Sequence, residues 1–558
     1  MRTKFTCTIL PRVVLLGAIA LPVRLGAQTS PDERIPEGGI PIQDDAVVRS
    51  CRRCHAVSDD GRMSRISFSR KTPEGWELTL RRMVTLNEVD LEPAMARRIL
   101  RYLSNQQGLA PEELRPVSYE VERRLDDREF ADDLKPTCTG CHSAARALTQ
   151  RRTREEWALL VAMHRGYYPL IDFQAFRRGG PAEEGEDPRH PMDKAIDHLA
   201  EGYPLETPEW TAWSASMRPP RLAGTWALSG NELGRGPLYG RVTVTPVAGA
   251  EDEFTTEVTY RYARDGKTVT RRGRATVYTG YQWRGRTGEG DEALREVMFV
   301  ERDWQSMSGR WFTGAYDELG IDVELTRSDG PTVLGAWPRM LVSGRTGQTV
   351  EVHGTELPAT LGTADVDLGA GVQVRALERL SAERVRIRVD VDADAAVGPR
   401  DLFVAGKNRA AALAVADGVD RIAVSPAWGM ARLGGGNFPK GFQRFEALGY
   451  HNGPDGKPDT GDDVALGPVD VEWSLEEYSA TLGDNDLAYV GALGADGTFT
   501  PALDGPNPQR PGNRNNVGDV WAVATYAPDG GRAPLRARAH LLVTVPLYMR
   551  WDPWTEGR

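Results

Sequence analysis

Two pentapeptides, Cys51-Arg52-Arg53-Cys54-His55 and Cys138-Thr139-Gly140-Cys141-His142, hold every cysteine of the chain except Cys7. Three chemistries use a CxxC pair. A structural zinc site needs about four ligands, and two CxxC units 87 residues apart could build one only by meeting in space. A redox dithiol sits after a strand in a βαβ unit and has no histidine as the fifth residue. Covalent haem attachment needs two thiols one helical turn apart to bond the vinyl groups, with a histidine directly after them to ligate the iron. Both pentapeptides satisfy the third requirement in full. The sequence therefore predicts two covalently bound haem c groups, anchored by Cys51 and Cys54 and by Cys138 and Cys141, with His55 and His142 as proximal ligands.

The elements that must position these groups are visible as an internal repeat. After the first motif comes TPEGWELTLRRM, with Thr72, Trp76 and Met83; after the second comes TREEWALLVAMH, with Thr153, Trp157 and His164, at the same offsets of four and seven. Each threonine reads as an N-cap followed by a first helical turn. Trp76, Leu80 and Met83 then share one helical face, as do Trp157, Val161 and His164. Farther on, Leu100, Leu103 and Leu109 match Ile196, Leu199 and Leu205 in spacing. The repeat points to Met83 as sixth ligand of the first haem iron and His164 as that of the second, with Met63 and Met95 as rivals in the first copy and Met163, His190 and Met192 in the second. Thioether ligation raises a haem potential relative to two imidazoles, so electrons are expected to run from the second haem to the first.

The chain has 558 residues, enough for three to five domains, and a formal charge of −10, which argues against a nucleic-acid binder. Residues 1–27 have the cations Arg2 and Lys4, an apolar run from Val13 to Leu21 and small residues Gly26 and Ala27, the pattern of a secretory signal peptide. That run is too short to cross a bilayer, and no later stretch approaches about 20 apolar residues, so no membrane span is expected. Residues 28–220 are expected to form an all-α dihaem cytochrome c domain. From about Arg221 the period changes to two. Segments such as GRVTVTP, TTEVTYRY and REVMFVERD predict an antiparallel β-barrel-like domain over 221–329, in which Trp226, Trp283, Trp304 and Trp311 are core plugs. Residues 330–417 read as an immunoglobulin-like β-sandwich and 418–558 as a further antiparallel β domain. The acidic stretch GPDGKPDTGDD, with Asp455, Asp459, Asp462 and Asp463, lacks the alternating ligand spacing of an EF-hand and reads as a solvated turn. No nucleophile elbow, phosphate loop or HExxH motif is present, and no residue of the β part stands out as catalytic.

With these features in this order, the chain resembles the α subunit of quinohemoprotein amine dehydrogenase. The likeness covers essentially the whole mature chain and is most specific in TPEGW, QGLAPEE, CTGCHS followed by QRRTREEW, and YPLETPEW. The resemblance implies a periplasmic αβγ assembly that oxidises primary amines to aldehyde and ammonia on a cysteine tryptophylquinone carried by the γ subunit. This chain would take electrons from that quinone and pass them to a soluble cytochrome c or blue-copper acceptor. The family's iron ligands fall on His55, Met83, His142 and His164. A stand-alone dihaem electron carrier and a dihaem peroxidase are the alternatives, the latter requiring an open or displaceable sixth position at one iron.

Overall fold

The computed structural model describes residues 35–117, 138–139, 141–168, 171, 185, 187–313, 319–436, 438–479 and 485–547; the expected signal peptide lies outside them. The chain divides into two compact units, residues 1–68 and 69–558.

In the first unit, helix α1 (Asp45–Cys51) starts at Asp44, whose carboxylate accepts the amides of Ala46 and Val47 at 2.7 and 3.1 Å. That bond satisfies amides otherwise orphaned at a helix start. Ala46, Val47, Met63 and Phe68 are buried in this unit.

The second unit opens with the rest of the repeat. Strand β1 (Ser69–Lys71) leads into helices α2 (Pro73–Leu86), α3 (Pro93–Gln106) and α4 (Pro111–Leu114). The short helix α5 (Ala145–Leu148) and strand β2 (Gln150–Arg152) lead into α6 (Arg154–Tyr167), α7 (Pro191–Gly202) and α8 (Pro208–Ser216). Thr72 and Thr153 are the N-caps, accepting the amides of Gly75 and Glu156 at 3.2 and 3.3 Å. Trp76 and Trp157 are buried. Each indole N–H donates to the carbonyl of the residue capping the next helix, Gln107 at 3.1 Å and Tyr203 at 3.2 Å, where a carbonyl lacks an intrahelical partner.

The two copies meet at β1 and β2, which pair antiparallel with Arg70 opposite Arg151. An all-α domain is therefore not what forms. The three residues before each N-cap are extended, and pairing the two segments satisfies backbone groups that burial would otherwise strand. In the α3 stretch Ile99, beside Leu100, takes the fully buried position together with Leu103.

Eight antiparallel strands between Gly224–Glu232 and Leu319–Arg327 close into a barrel in simple up-and-down order. Along Glu253–Tyr262 every second residue is buried, as period-two alternation requires. Trp226, Trp283 and Trp311 fill the core. Trp304 packs against this core only half-buried, from the hairpin after Leu294–Val300, with a φ of 59° and Arg218 and Arg221 over its ring. The barrel seats the repeat. The Tyr281 hydroxyl donates to the Leu109 carbonyl at 3.0 Å, the Thr279 hydroxyl to Ser104 at 3.0 Å, and Arg115 pairs with Glu301 at 2.8 Å.

Residues 332–416 form two four-stranded sheets around one apolar core, and the C-terminal domain has sheets of three, four and three strands around another. Neither domain is purely antiparallel. Met340–Val342 runs parallel to Ala414–Ala416, and Trp428–Arg432 parallel to His540–Thr544. In the first case the chain leaves one sheet at Trp337 and joins the other at Met340, so it reaches the last strand running the same way. The acidic stretch near Asp455 is a turn closed by its own bonds, such as the Asp455 amide to Asp462 at 3.1 Å.

Candidate functional site

The first pentapeptide continues the end of α1. The amides of Cys54 and His55 donate to the Cys51 carbonyl at 3.1 and 3.0 Å, which wraps the motif into one helical turn. The His55 Nδ1 lies 2.9 Å from the Ser64 carbonyl; since a carbonyl can only accept, Nδ1 carries the proton. In the second copy His142 Nδ1 donates to the Ser143 carbonyl at 2.8 Å, and His164 Nδ1 to the Leu160 carbonyl at 2.8 Å one turn back along α6. Locking Nδ1–H on a carbonyl sets the tautomer that makes Nε2 a metal ligand.

The second site is brought together by tertiary structure. His142 lies ahead of α5 and His164 in the last turn of α6, and their ring centroids are 6.3 Å apart with planes inclined at 50°. Two imidazoles on opposite sides of one metal atom, with metal–nitrogen bonds of about 2.0 Å, have centroids about 6 Å apart. The spacing and the two tied Nδ1 atoms thus fit a metal held between the rings. Burial is the main cause that lowers the His164 pKa, and the charges of His142, Arg82 and Arg152 add to it, so the ring is kept neutral as a ligand must be. Burial also pushes the Cys51 and Cys138 thiols up to about 11, while Cys54 and Cys141 are exposed. None of the four is in a disulfide. Among the described residues no cluster of three or more His, Cys, Asp or Glu could hold a bare metal ion.

The rival ligands have other surroundings. Met63 is fully buried. His190 caps α7, its Nδ1 accepting the Met192 amide at 3.2 Å. The sulfurs of Met192 and Met163 lie 3.6 and 3.8 Å from the guanidinium groups of Arg165 and Arg82. Met95 is half-buried on α3. Met83 is half-buried in the last turns of α2, with Asn87 Nδ2 3.9 Å from its sulfur.

A charged hub holds the two copies together. Glu113 accepts from Arg70 at 2.8 and 2.9 Å, from the Thr207 hydroxyl at 2.9 Å and from the Ala110 amide at 2.8 Å, and pairs with Arg151 at 3.1 Å. Burial opposes the charge of Glu113, but Arg70 and Arg151 outweigh it and hold the carboxyl below its ordinary range. Sequence reasoning missed this hub. The available signal was the matched position of Arg70 and Arg151, each two residues before its capping threonine.

Paired helical copies thus place two imidazoles 6.3 Å apart, one of them directly after a CxxC pair. Four family models match: the haem-binding domain of the quinohemoprotein amine dehydrogenase alpha subunit over residues 42–210, and its domains II, III and IV over 219–328, 330–417 and 422–554. The chain belongs to the quinohemoprotein amine dehydrogenase alpha-subunit family. No curated protein matches it. Among solved structures, a redesigned β-barrel shares 14% identity over 19% of this chain and 92% of its own, with a TM-score of 0.17. Protocadherin gamma B2 cadherin domains 1–5 share 12% over 59% of this chain and 73% of theirs, with a TM-score of 0.15. Likenesses this weak bear no weight.

Proposed function

We propose that the chain is the exported, dihaem electron-transfer subunit of an amine dehydrogenase. It takes electrons from a cysteine tryptophylquinone on a γ subunit during oxidative deamination of primary amines. It hands them to a soluble cytochrome c or blue-copper protein. The observation that carries the reading is the 6.3 Å pairing of His142 with His164, which follows directly on a CxxC pair and sits in a family haem-binding domain.

Cys138 and Cys141 would hold the second haem c covalently, with His142 and His164 as its iron ligands. Cys51 and Cys54 would hold the first, with His55 as one iron ligand and Met83, which occupies the position of His164 in the repeat, as the other. Bound there, the haems supply reversible one-electron storage, which suits a two-electron quinol being emptied in single steps. The protein residues orient and protect. The carbonyls of Ser64, Ser143 and Leu160 hold the three imidazoles in the ligating tautomer, and the buried Trp76 and Trp157 fix the helices that carry positions 83 and 164. No residue of this chain is assigned to substrate chemistry, and the β domains are platforms for the β and γ subunits. The His164 ring, with its centroid 6.3 Å from that of His142, weighs against a peroxidase, which needs an open or displaceable sixth position at one iron.

Mass spectrometry of the exported chain tests the reading: two haem additions and no titratable thiol are expected, and four reactive thiols would refute it. Met83→Ala should remove the sulfur-to-iron absorption band and leave the second haem low-spin. His164→Ala should do the converse, and it should slow amine-driven reduction of the acceptor without preventing reduction of the quinone.

A further inference from the structure

The whole chain carries a formal charge of −10, yet one cleft is rimmed by arginines. Its volume is about 860 Å³, and it lies where the segment after α8 reaches the barrel. Arg218-Pro219-Pro220-Arg221 lines one wall. Two prolines favour polyproline geometry, which repeats about every three residues, so the side chains of Arg218 and Arg221 return to the same side. Both guanidinium groups lie over the ring of Trp304, at 5.1 and 5.9 Å from its centroid. Two bonds hold Trp304 at its φ of 59°: its amide donates to the Glu301 carbonyl at 2.9 Å, and its carbonyl accepts from Arg327 Nε at 3.2 Å. A bulky side chain at positive φ is strained, and such positions cluster at binding sites.

We propose that this cleft docks an acidic segment of a partner protein. Stacking on an indole face fixes the plane of a guanidinium but leaves its N–H edge free, and that edge is what grips a carboxylate bidentately. Arg218 and Arg221 are exposed, and among the described residues neither forms an ion pair; the Trp304 indole N–H has no acceptor among them either. Arg302, on the same hairpin as Trp304, extends the basic row toward α8, over Trp213 at 5.6 Å and 3.1 Å from the Ser216 hydroxyl. Two carboxylates also line the cleft, Glu251 and Asp303, the latter accepting the Gln305 amide at 2.9 Å. Arg218, Arg221 and Arg327 outnumber them in the lining, and Arg302 adds a cation beside them. The cleft is far larger than a single phosphate or carboxylate, and its cations are spread along a linker and a hairpin. That spread suits a row of Asp and Glu side chains on a peptide better than one small anion. The inference does not depend on the haem reading above.

The test is a fluorescence-anisotropy titration of fluorescein-labelled hexaglutamate with the purified full chain, for wild type, Arg218→Gln/Arg221→Gln and Trp304→Gly. Wild type should bind the peptide, and the binding should disappear in about 0.5 M salt. The double arginine variant should bind roughly tenfold more weakly, a few-fold for each exposed ion pair, with an unchanged melting temperature. Trp304→Gly, which relieves the positive φ, should weaken binding roughly threefold through the lost donor. No binding by wild type, an unchanged affinity in the double variant or equal binding of labelled hexalysine overturns the proposal. Displacement of the peptide by inorganic phosphate at matched charge overturns it in favour of a small-anion site.

Discussion

Glu113 in the repeat domain and Glu296 in the barrel are the same side chain, both nearly removed from solvent, and they end in opposite states. Glu113 receives two guanidinium groups, a hydroxyl and an amide and stays ionised. Glu296 stands across from Gly285 in the barrel wall and receives the Trp283 indole N–H at 2.7 Å, while its other oxygen is buried without a partner. Burial, incompletely offset by the hydrogen bond from Trp283, pushes its pKa up to about 7. Burial alone therefore does not decide the charge of a carboxylate; the number of donors aimed at it does. The repeat domain uses an ionised glutamate to join its two copies. The barrel closes on its own hydrogen bonds and tolerates a carboxyl that is easiest to keep neutral.

The largest effect should come from breaking the first arrangement. Glu113→Ala leaves Arg70 and Arg151 buried without their counter-charge, and about 3–5 kcal/mol of stability should be lost in denaturant unfolding. A loss no greater than that of a surface substitution would mean the hub is dispensable. Glu296→Gln should act in the opposite sense. The folded pKa is raised above the ordinary 4.5, so the favourable contribution is complete below pH 4.5 and disappears as pH rises toward 7. The substitution should be near neutral at pH 4.5 and stabilising by about 3 kcal/mol at pH 8, measured as the pH dependence of the unfolding midpoint; a pH-independent difference would contradict the raised pKa. Glu113 has the reverse sign: its stabilisation is present above the ordinary carboxylate pKa and is lost as pH falls through its depressed folded value. The smallest effects are at the caps. Thr72→Ala and Thr153→Ala should each cost about 1 kcal/mol, and near-equal losses would sharpen the equivalence of the two copies; a large inequality would show that one helix is held mainly by other contacts.

Much of this was legible in the linear chain. The CxxCH motifs, the threonine caps and the tryptophans at fixed offsets are short-range features, and they survive translation into structure because a helical turn and a cap involve residues within four positions of each other. The barrel strands were legible for the same reason, through a period of two. Trp304 packs at the edge of the core and not inside it, because its backbone turns into the left-handed region at a hairpin, which composition does not report. The β1–β2 pair was missed because three residues are too few to show a period.

By itself the sequence determined where thiols and imidazoles occur, which stretches wind into helices and which alternate as strands, since dihedral preference and periodicity are local. Tertiary structure decided that His142 and His164 stand 6.3 Å apart, that Glu113 meets arginines 43 and 38 residues away, and that Glu296 faces a donor-poor interior. Distance, burial and charge state depend on neighbours that only the folded chain supplies, and a pKa or a ligand pair is a property of those neighbours.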